Sequence, residues 1–164
     1  MKWMRIIALA AAVAMAANAG ASPEELKLKK ELLNTWKGYS KQAQAATKGI
    51  TDKELIKWMD DDKEFILVDV REPNEVAAGH ILAMEFKAIP RGMVAPAVGK
   101  TAALKPTDTV VFYCKLGSRS AMVAKEIEEV YGYKNLYYLK GGITQWLKNG
   151  HEVHGKLGEL VMSK

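Results

Sequence analysis

The sequence predicts an α/β fold: a three-layer sandwich with a mostly parallel central sheet and an extra N-terminal helix. Continuous apolar runs rich in β-branched residues are typical of strands in a parallel sheet that is covered on both faces. Helical patterns lie between and after these runs, and such alternation indicates an α/β architecture. The three runs span residues 65–70, 110–113 and 136–139.

Length and composition narrow the classes of protein. The chain has 164 residues, 49% hydrophobic and 26% charged, so we expect one globular domain rather than several membrane spans. Its 24 Lys and Arg against 19 Asp and Glu give a formal net charge of +5, too small to indicate nucleic-acid binding. A single cysteine, Cys114, excludes an internal disulfide and a metal site with several thiolate ligands.

Residues 1–21 have the pattern of a secretory signal peptide. Lys2 and Arg5 precede an uncharged apolar run at 6–17, and A-x-A cleavage patterns occur at 17–19 and 19–21. The run is too short to span a bilayer comfortably. We therefore expect export to a bacterial periplasm, with no stable membrane insertion after cleavage. An uncleaved membrane anchor is the alternative.

Residues 22–48 are predicted to form a helical extension. Ser22 and Glu25 form a capping box around Pro23, and an apolar stripe follows at helical spacing. We expect one amphipathic helix over about 23–45, whose stripe packs on the domain or binds a protein partner that the sequence does not identify. The stripe consists of Leu28, Leu32, Trp36, Tyr39 and Ala43.

The main domain is predicted over 49–155, with a tail at 156–164. Its first helix begins at a capping box formed by Thr51 and Glu54. Two further helices follow the second and third strands, and glycines mark where they end. The three predicted helices span about 51–59, 118–131 and 143–148.

Cys114 ends the second apolar strand, and a short loop leads from it into a helix. Ligands of parallel sheets bind beyond the carboxyl ends of the strands, where a helix start also directs its N–H groups. Such surroundings favour the thiolate, the nucleophilic form of cysteine. Gly117 permits a tight turn, and Lys115 and Arg119 add positive charge. The residues alone leave open that Cys114 is an ordinary buried cysteine at a strand end.

Four motifs together resemble the rhodanese family, the single-domain sulfurtransferases, over about residues 50–150. The family's V-D-V-R-x-x-x-E pattern is matched at 68–75 and its G-H-I at 79–81. Its C-x-x-G-x-R-S loop is matched at 114–120, and its L-x-G-G-x-x-x-W ending at 139–146. Because the chain is small and has the pattern of an exported protein, it resembles the periplasmic thiosulfate sulfurtransferases of this family. The chain departs from the family's G-H-I-P-G-A after Ile81, which leaves the path of residues 82–87 open.

The resemblance implies a role for each matching residue. Cys114 would be the nucleophile that forms a persulfide. Arg119 would hold the loop through a carboxylate or face the substrate. Asp69 and Arg71 would support the site electrostatically, or form a purely structural ion pair. The substrate-binding cradle for a small anion would comprise Lys115, Leu116, Gly117, Ser118, Arg119 and Ser120.

The implied reaction moves a sulfur atom from thiosulfate, or a similar small anionic donor, to cyanide or a thiol acceptor by double displacement. It requires no metal and no organic cofactor, because the thiolate is the group that changes. Gly141, Gly142 and Trp146 are interpreted as turn and core residues. His151 and His154 are interpreted as residues of a surface tail rather than metal ligands.

Two other functions remain possible from the sequence. A phosphatase or arsenate reductase of similar fold would have a C-x-x-x-x-x-R loop with five residues between its ends. Only four residues lie between Cys114 and Arg119. The other alternative is a non-enzymatic sulfur carrier or binding module, which would keep the cysteine without turning over substrate.

Overall fold

A computed structural model describes residues 22–155 and the backbone of residues 158–160. The predicted signal peptide at 1–21 lies outside the described residues. The chain divides into two compact units between Gly38 and Tyr39.

A five-stranded parallel sheet forms the centre of the second unit. Its strand order is β1-β5-β4-β2-β3, and every neighbouring pair is parallel, so all five carboxyl ends lie along one edge. This arrangement confirms the predicted α/β fold. The strands are β1 (Lys48–Ile50), β2 (Ile66–Asp69), β3 (Phe86–Ala88), β4 (Val110–Tyr113) and β5 (Leu136–Leu139).

Helices precede, connect and follow these strands. The predicted capping box at the start of the second helix is present: the Glu54 N–H donates to Thr51 Oγ1, and the Thr51 N–H donates to the Glu54 carboxylate. No helix among the described residues is long and apolar enough to cross a membrane. The helices are α1 (Pro23–Ala46), α2 (Asp52–Asp60), α3 (Pro73–Ala78), α4 (Arg91–Thr101), α5 (Ser118–Tyr131) and α6 (Gly142–Lys148).

Buried side chains cover both faces of the sheet, which explains why its central strands are apolar throughout. Successive residues of a strand point to opposite faces. In β4, Val110 and Phe112 therefore belong to one core cluster, and Val111 and Tyr113 belong to the other. Helices α4 and α5 contribute to the first cluster, and α2 and α6 contribute to the second.

The two parts of α1 differ in burial. In the second unit, Ala43 is fully buried in a cluster with Ala121 and Met122 of α5 and Tyr138 of β5. The first unit carries large apolar side chains that are about half exposed. Binding of a protein partner by these side chains remains a prediction. They are Leu26, Leu28, Leu32, Leu33 and Trp36.

Several elements were not predicted. Residues 82–85 lead into β3, which pairs with β2 at the edge of the sheet. Helix α4 contains Gly92, Pro96 and Gly99, residues that disfavour helices, which explains why no helical pattern is recognisable there. Part of the predicted tail is a strand, because β6 (Val153–Gly155) and β7 (Gly158–Leu160) form an antiparallel pair.

Candidate active site

Cys114 lies in the middle of the sheet edge where all five strands end. It follows β4, whose neighbours in the sheet are β5 and β2, so the segments that leave these two strands flank it. Its side chain is only 1% exposed and belongs to the core cluster on the α5 face of the sheet. The loop from Lys115 to Gly117 then leads directly into α5.

Two hydrogen-bond donors face the sulfur atom. The Gly117 N–H donates to Cys114 Sγ over 3.2 Å, and Ser120 Oγ lies 3.7 Å from the same atom. Ser120 Oγ is also 3.0 Å from the Gly117 carbonyl oxygen, and its single proton serves one of these acceptors at a time. Hydrogen bonds to an ionised acceptor are the stronger ones, so this arrangement stabilises a negatively charged sulfur.

Gly117 adopts a conformation that is strained for other residues. Its φ of +90° lies in the left-handed region, and an added Cβ would lie 3.1 Å from the Leu139 carbonyl oxygen. The glycine therefore lets the loop turn tightly against the end of β5 while its N–H points at the sulfur.

Arg119 forms a two-pronged ion pair with Glu75. Its two terminal nitrogens lie 2.7 and 2.8 Å from the two carboxylate oxygens. Hydrogen bonding to Arg119 lowers the pKa of Glu75 to about 2. Hydrogen bonding to Glu75 raises the pKa of Arg119 against the effect of burial, and the charge of Cys114 adds to the rise. Of the two arrangements predicted for Arg119, the structure shows the contact with a carboxylate.

Asp69 and Arg71 form a buried ion pair beside the site. Arg71 Nη2 lies 2.6 Å from Asp69 Oδ2, and the exposed fractions of the two side chains are 7% and 0%. Burial lowers the pKa of Arg71, but the hydrogen bonds and charge of Asp69 outweigh it and leave the pKa raised. The guanidinium also donates to the carbonyl oxygens of Glu75, over 3.0 Å, and Gly79, over 2.6 Å. Arg71 thus fixes α3, the helix that carries Glu75.

Tyr113 connects this ion pair to the neighbouring segment. Its ring lies 5.7 Å from the Arg71 guanidinium, and its hydroxyl accepts a hydrogen bond from the Ile81 N–H over 3.1 Å. Burial, together with the charge of Asp69, raises the pKa of Tyr113 well above its ordinary value. The tyrosine therefore stays neutral and acts as a packing and hydrogen-bonding residue.

The remaining residues of the predicted cradle differ in exposure. Lys115 and Leu116 are exposed, Ser118 is half-buried, and Ser120 is fully buried. Of the predicted cradle residues, Gly117 and Ser120 face Cys114 Sγ, and Arg119 is held by Glu75. Glu75 had no predicted role, although its place four residues after Arg71 in the V-D-V-R-x-x-x-E pattern was a signal for one.

The first turn of α6 contacts the cysteine loop. The Ile143 N–H donates to the Cys114 carbonyl oxygen over 2.9 Å, and the Thr144 N–H donates to the Lys115 carbonyl oxygen over 3.1 Å. The interpretation of Gly141 and Gly142 as turn residues was therefore incomplete, because this turn also binds the loop that carries the sulfur.

His151 and His154 do not form the surface tail interpreted from the sequence, because both are half-buried and hydrogen-bonded to other parts of the domain. His151 Nε2 is 2.8 Å from Asp52 Oδ2, and Asn149 donates to the same oxygen, which ties the end of α6 to the start of α2. Burial by itself raises the pKa of Asp52, but its hydrogen bonds, chiefly these two, lower the pKa overall. His154 pairs with His80 through reciprocal backbone hydrogen bonds of 2.8 Å. Among the described residues, no group of three or more His, Cys, Asp or Glu could hold a metal ion.

Fold and site together define a class of protein: a parallel α/β domain that presents one cysteine on a strand-to-helix loop, in position to act as a nucleophile. A model of the rhodanese-like domain matches residues 51–149. The chain belongs to the rhodanese-like domain family.

Curated relatives of the chain include named sulfurtransferases. The probable adenylyltransferase/sulfurtransferase MoeZ of Mycobacterium tuberculosis is 36% identical over 108 residues, which cover 65% of this chain and 26% of that protein. This chain therefore spans about a quarter of the length of that relative. A sulfurtransferase of Allochromatium vinosum is 30% identical over 104 residues, which cover 62% of this chain and 89% of that protein.

Two solved structures have similar folds. The polysulfide-sulfur transferase homodimer of Wolinella succinogenes has a TM-score of 0.62 and 30% identity, with coverage of 82% of this chain and 93% of that one. A Rhodopseudomonas palustris protein described as a possible tyrosine phosphatase has a TM-score of 0.63 and 26% identity, with coverage of 72% and 92%.

Proposed function

We propose that this protein is a thiosulfate sulfurtransferase that carries a sulfur atom on Cys114 as a persulfide. The observation that carries the proposal is the environment of Sγ: the chain's single cysteine accepts a hydrogen bond from the Gly117 N–H at the start of α5. The sulfurtransferases among the relatives support the same reaction class.

The proposed first half-reaction loads the cysteine. The Cys114 thiolate attacks the outer sulfur of thiosulfate, a new S–S bond forms, and the S–S bond of the donor breaks. Sulfite leaves with the electron pair of the broken bond. The Gly117 N–H and Ser120 Oγ, which face Sγ in the structure, stabilise the negative sulfur before the attack.

The proposed second half-reaction regenerates the thiolate. Cyanide or an acceptor thiolate attacks the outer sulfur of the persulfide and forms thiocyanate or a new persulfide. The persulfide bond breaks, and its electron pair returns to Cys114 Sγ. The cysteine itself carries the sulfur between the two steps, so the proposed cycle needs no metal and no organic cofactor.

The charges at the loop support a small anionic donor. Arg119 is engaged by Glu75 through both terminal nitrogens, whereas Lys115 is an exposed residue of the loop. An approaching anion therefore meets the Lys115 ammonium on the outside of the loop. Once inside, it meets backbone N–H groups near the sulfur.

A phosphatase of similar fold is the second candidate, because the similar Rhodopseudomonas palustris structure is described as a possible tyrosine phosphatase. The loop length favours sulfur transfer. Four residues separate Cys114 from Arg119, which is one fewer than the five of the phosphatase-type loop. A shorter loop encloses less space beside Sγ, which suits the single sulfur atom of a persulfide better than a phosphate group bound covalently to the cysteine.

Steady-state assays separate the candidates. Purified protein is incubated with thiosulfate and cyanide, and thiocyanate is measured; a parallel assay uses an aryl phosphate. We expect thiocyanate formation that is abolished in Cys114→Ser, with no phosphatase activity and an unchanged circular dichroism spectrum. Phosphate release without thiocyanate would show a phosphatase. Stoichiometric sulfur loading without turnover would show a carrier.

We also propose that residues 1–21 direct export to a periplasm and are then removed. The basic start, the apolar run and the A-x-A patterns support this proposal. Expression of the full chain followed by osmotic shock tests it. The mature protein should be released into the periplasmic fraction with a mass that begins at Gly20 or Ser22. A full-length mass in the cytoplasmic or membrane fraction would contradict it.

A further inference from the structure

We propose that Gly142 is a positioning residue for Cys114, which it serves by letting the start of α6 hold the cysteine loop in place. The proposal rests on the proposed function of Cys114. It adds to the site a second sequence motif, L-x-G-G-x-x-x-W at 139–146.

The hydrogen bonds to α6 fix the orientation of two peptide groups. The carbonyl oxygens of Cys114 and Lys115 accept hydrogen bonds from the N–H groups of Ile143 and Thr144, over 2.9 and 3.1 Å respectively. The described chain contains no cis peptide bond, so each carbonyl points away from the N–H group of its own peptide unit. With both carbonyls turned toward α6, the N–H groups of Lys115 and Leu116 point away from α6.

The sulfur lies on the side of the loop that faces away from α6. The α6 side chains of Ile143 and Trp146 belong to the core cluster on one face of the sheet. Cys114 belongs to the cluster on the other face, together with Val123 of α5. The hydrogen bonds from α6 therefore direct the N–H groups of the loop toward the face that carries Sγ, where Gly117 already donates.

Gly142 makes this contact possible. Its φ is +56°, and a Cβ added there would lie 2.2 Å from the Cys114 carbonyl oxygen and 2.7 Å from the Lys115 carbonyl carbon. Both neighbours are backbone atoms, so no flexible side chain could move aside. Any larger residue must push α6 and the cysteine loop apart.

The consequence is a cradle that is set before the donor arrives. Donors fixed in advance toward the place where negative charge develops need no rearrangement during reaction, and such groups make large contributions to catalysis. If α6 and the loop separate, the N–H groups lose their common direction. The thiolate is then less stabilised, while the core around it is preserved.

A matched pair of variants tests the proposal. Gly142→Ala and Gly150→Ala both place a Cβ on a residue with positive φ, +56° and +84°, but an added Cβ at Gly150 meets nothing within 4 Å. The two variants share the backbone strain, and only Gly142→Ala displaces the loop. The rate of Cys114 alkylation by iodoacetamide is measured against pH, together with kcat, KM and the circular dichroism spectrum.

We expect Gly142→Ala to lower kcat about tenfold or more and to move the alkylation profile to higher pH. Gly150→Ala should stay within about twofold of the unmodified protein in both, given the open space around it. A folded Gly142→Ala whose alkylation profile and kcat match those of Gly150→Ala would overturn the proposal.

A second pair covers the case in which Gly142→Ala does not fold. Thr144→Pro removes the N–H that binds the Lys115 carbonyl, at a first-turn position where helices tolerate proline, and Thr144→Ala keeps it. The alkylation profile should move for Thr144→Pro alone, and identical profiles would overturn the proposal. If the unmodified protein transfers no sulfur, the proposed function fails, but the alkylation comparison still decides the role of Gly142.

Discussion

Replacing Glu75 with glutamine should both destabilise the protein and lower its turnover. Glu75 holds Arg119 through two hydrogen bonds of 2.7 and 2.8 Å. Glutamine has nearly the same shape and keeps one oxygen acceptor, but it removes the negative charge and replaces the second acceptor with a donor. Arg119 then loses its charged partner and one of its two hydrogen-bond acceptors.

The size of the stability effect follows from the pKa of Glu75. The pKa falls from 4.5 to about 2 because Arg119 donates hydrogen bonds to the carboxylate. At about 1.4 kcal/mol per pKa unit, this shift sets an upper bound of about 3 kcal/mol. The Glu75 side chain is 27% exposed. Screening by solvent reduces the expected loss in unfolding free energy to about 1–2 kcal/mol.

The pH dependence has a definite sign. A carboxylate whose pKa is lowered by folding stabilises the folded state fully above its unfolded pKa, near 4.5. That contribution is lost as the pH falls through about 2. Roughly two fifths of it should remain at pH 3. The difference in unfolding free energy between the unmodified protein and Glu75→Gln should therefore shrink between pH 7 and pH 3.

Urea unfolding at pH 7 and pH 3 measures this difference, and the thiocyanate assay at pH 7 measures turnover. Glu126→Gln, at an exposed position on α5, is the matched control and should change neither quantity. We expect Glu75→Gln to lower kcat about tenfold or more, because the released guanidinium no longer has a fixed place beside the sulfur. Equal unfolding free energies at pH 7, or a difference that does not change with pH, would refute the reasoning.

Three further predictions concern the same site. After treatment with thiosulfate and desalting, the intact mass should rise by one sulfur atom and return to its starting value with cyanide; an unchanged mass despite turnover would exclude a Cys114 persulfide. Inserting one residue between Gly117 and Arg119 should lower thiosulfate turnover, because it moves the backbone donors away from Sγ, and unchanged kinetics would show that the loop does not recognise the donor. Arg71→Lys should lower the unfolding free energy, measured with urea, by about 3 kcal/mol, because an ammonium cannot reach Asp69 and two carbonyl oxygens together. A loss below about 1 kcal/mol would contradict the role of Arg71 in fixing α3.

The strands that the sequence predicts are those whose own residues carry the signal. Central strands β2, β4 and β5 are apolar throughout because both of their faces are buried. The edge strands β1 and β3 have three residues each and no apolar run. Their strand conformation comes from pairing with β5 and β2, which a local pattern does not contain.

The site was predictable to the extent that it is local in sequence. The loop from Cys114 to Ser120 is one continuous motif, so its residues could be assigned together. The pairing of Arg119 with Glu75 joins residues that are 44 positions apart. The contact of the cysteine loop with Gly142 likewise depends on how β4 and β5 lie side by side. Such contacts are set by topology and cannot be derived from spacing alone.

The hold of Arg71 on α3 bears on how the site forms. Helix α3 has six residues and no fully buried side chain, so neither helix propensity nor a core face of its own is enough to stabilise it. The Arg71 guanidinium supports it through two carbonyl oxygens, together with the capping box at its start and the ion pair between Glu75 and Arg119. The position of α3 therefore depends on Asp69 at the end of β2 and on Arg71, which follows it. A substitution that loosens α3 also loosens the anchor of Arg119. The active site can therefore be disturbed while the sheet stays intact.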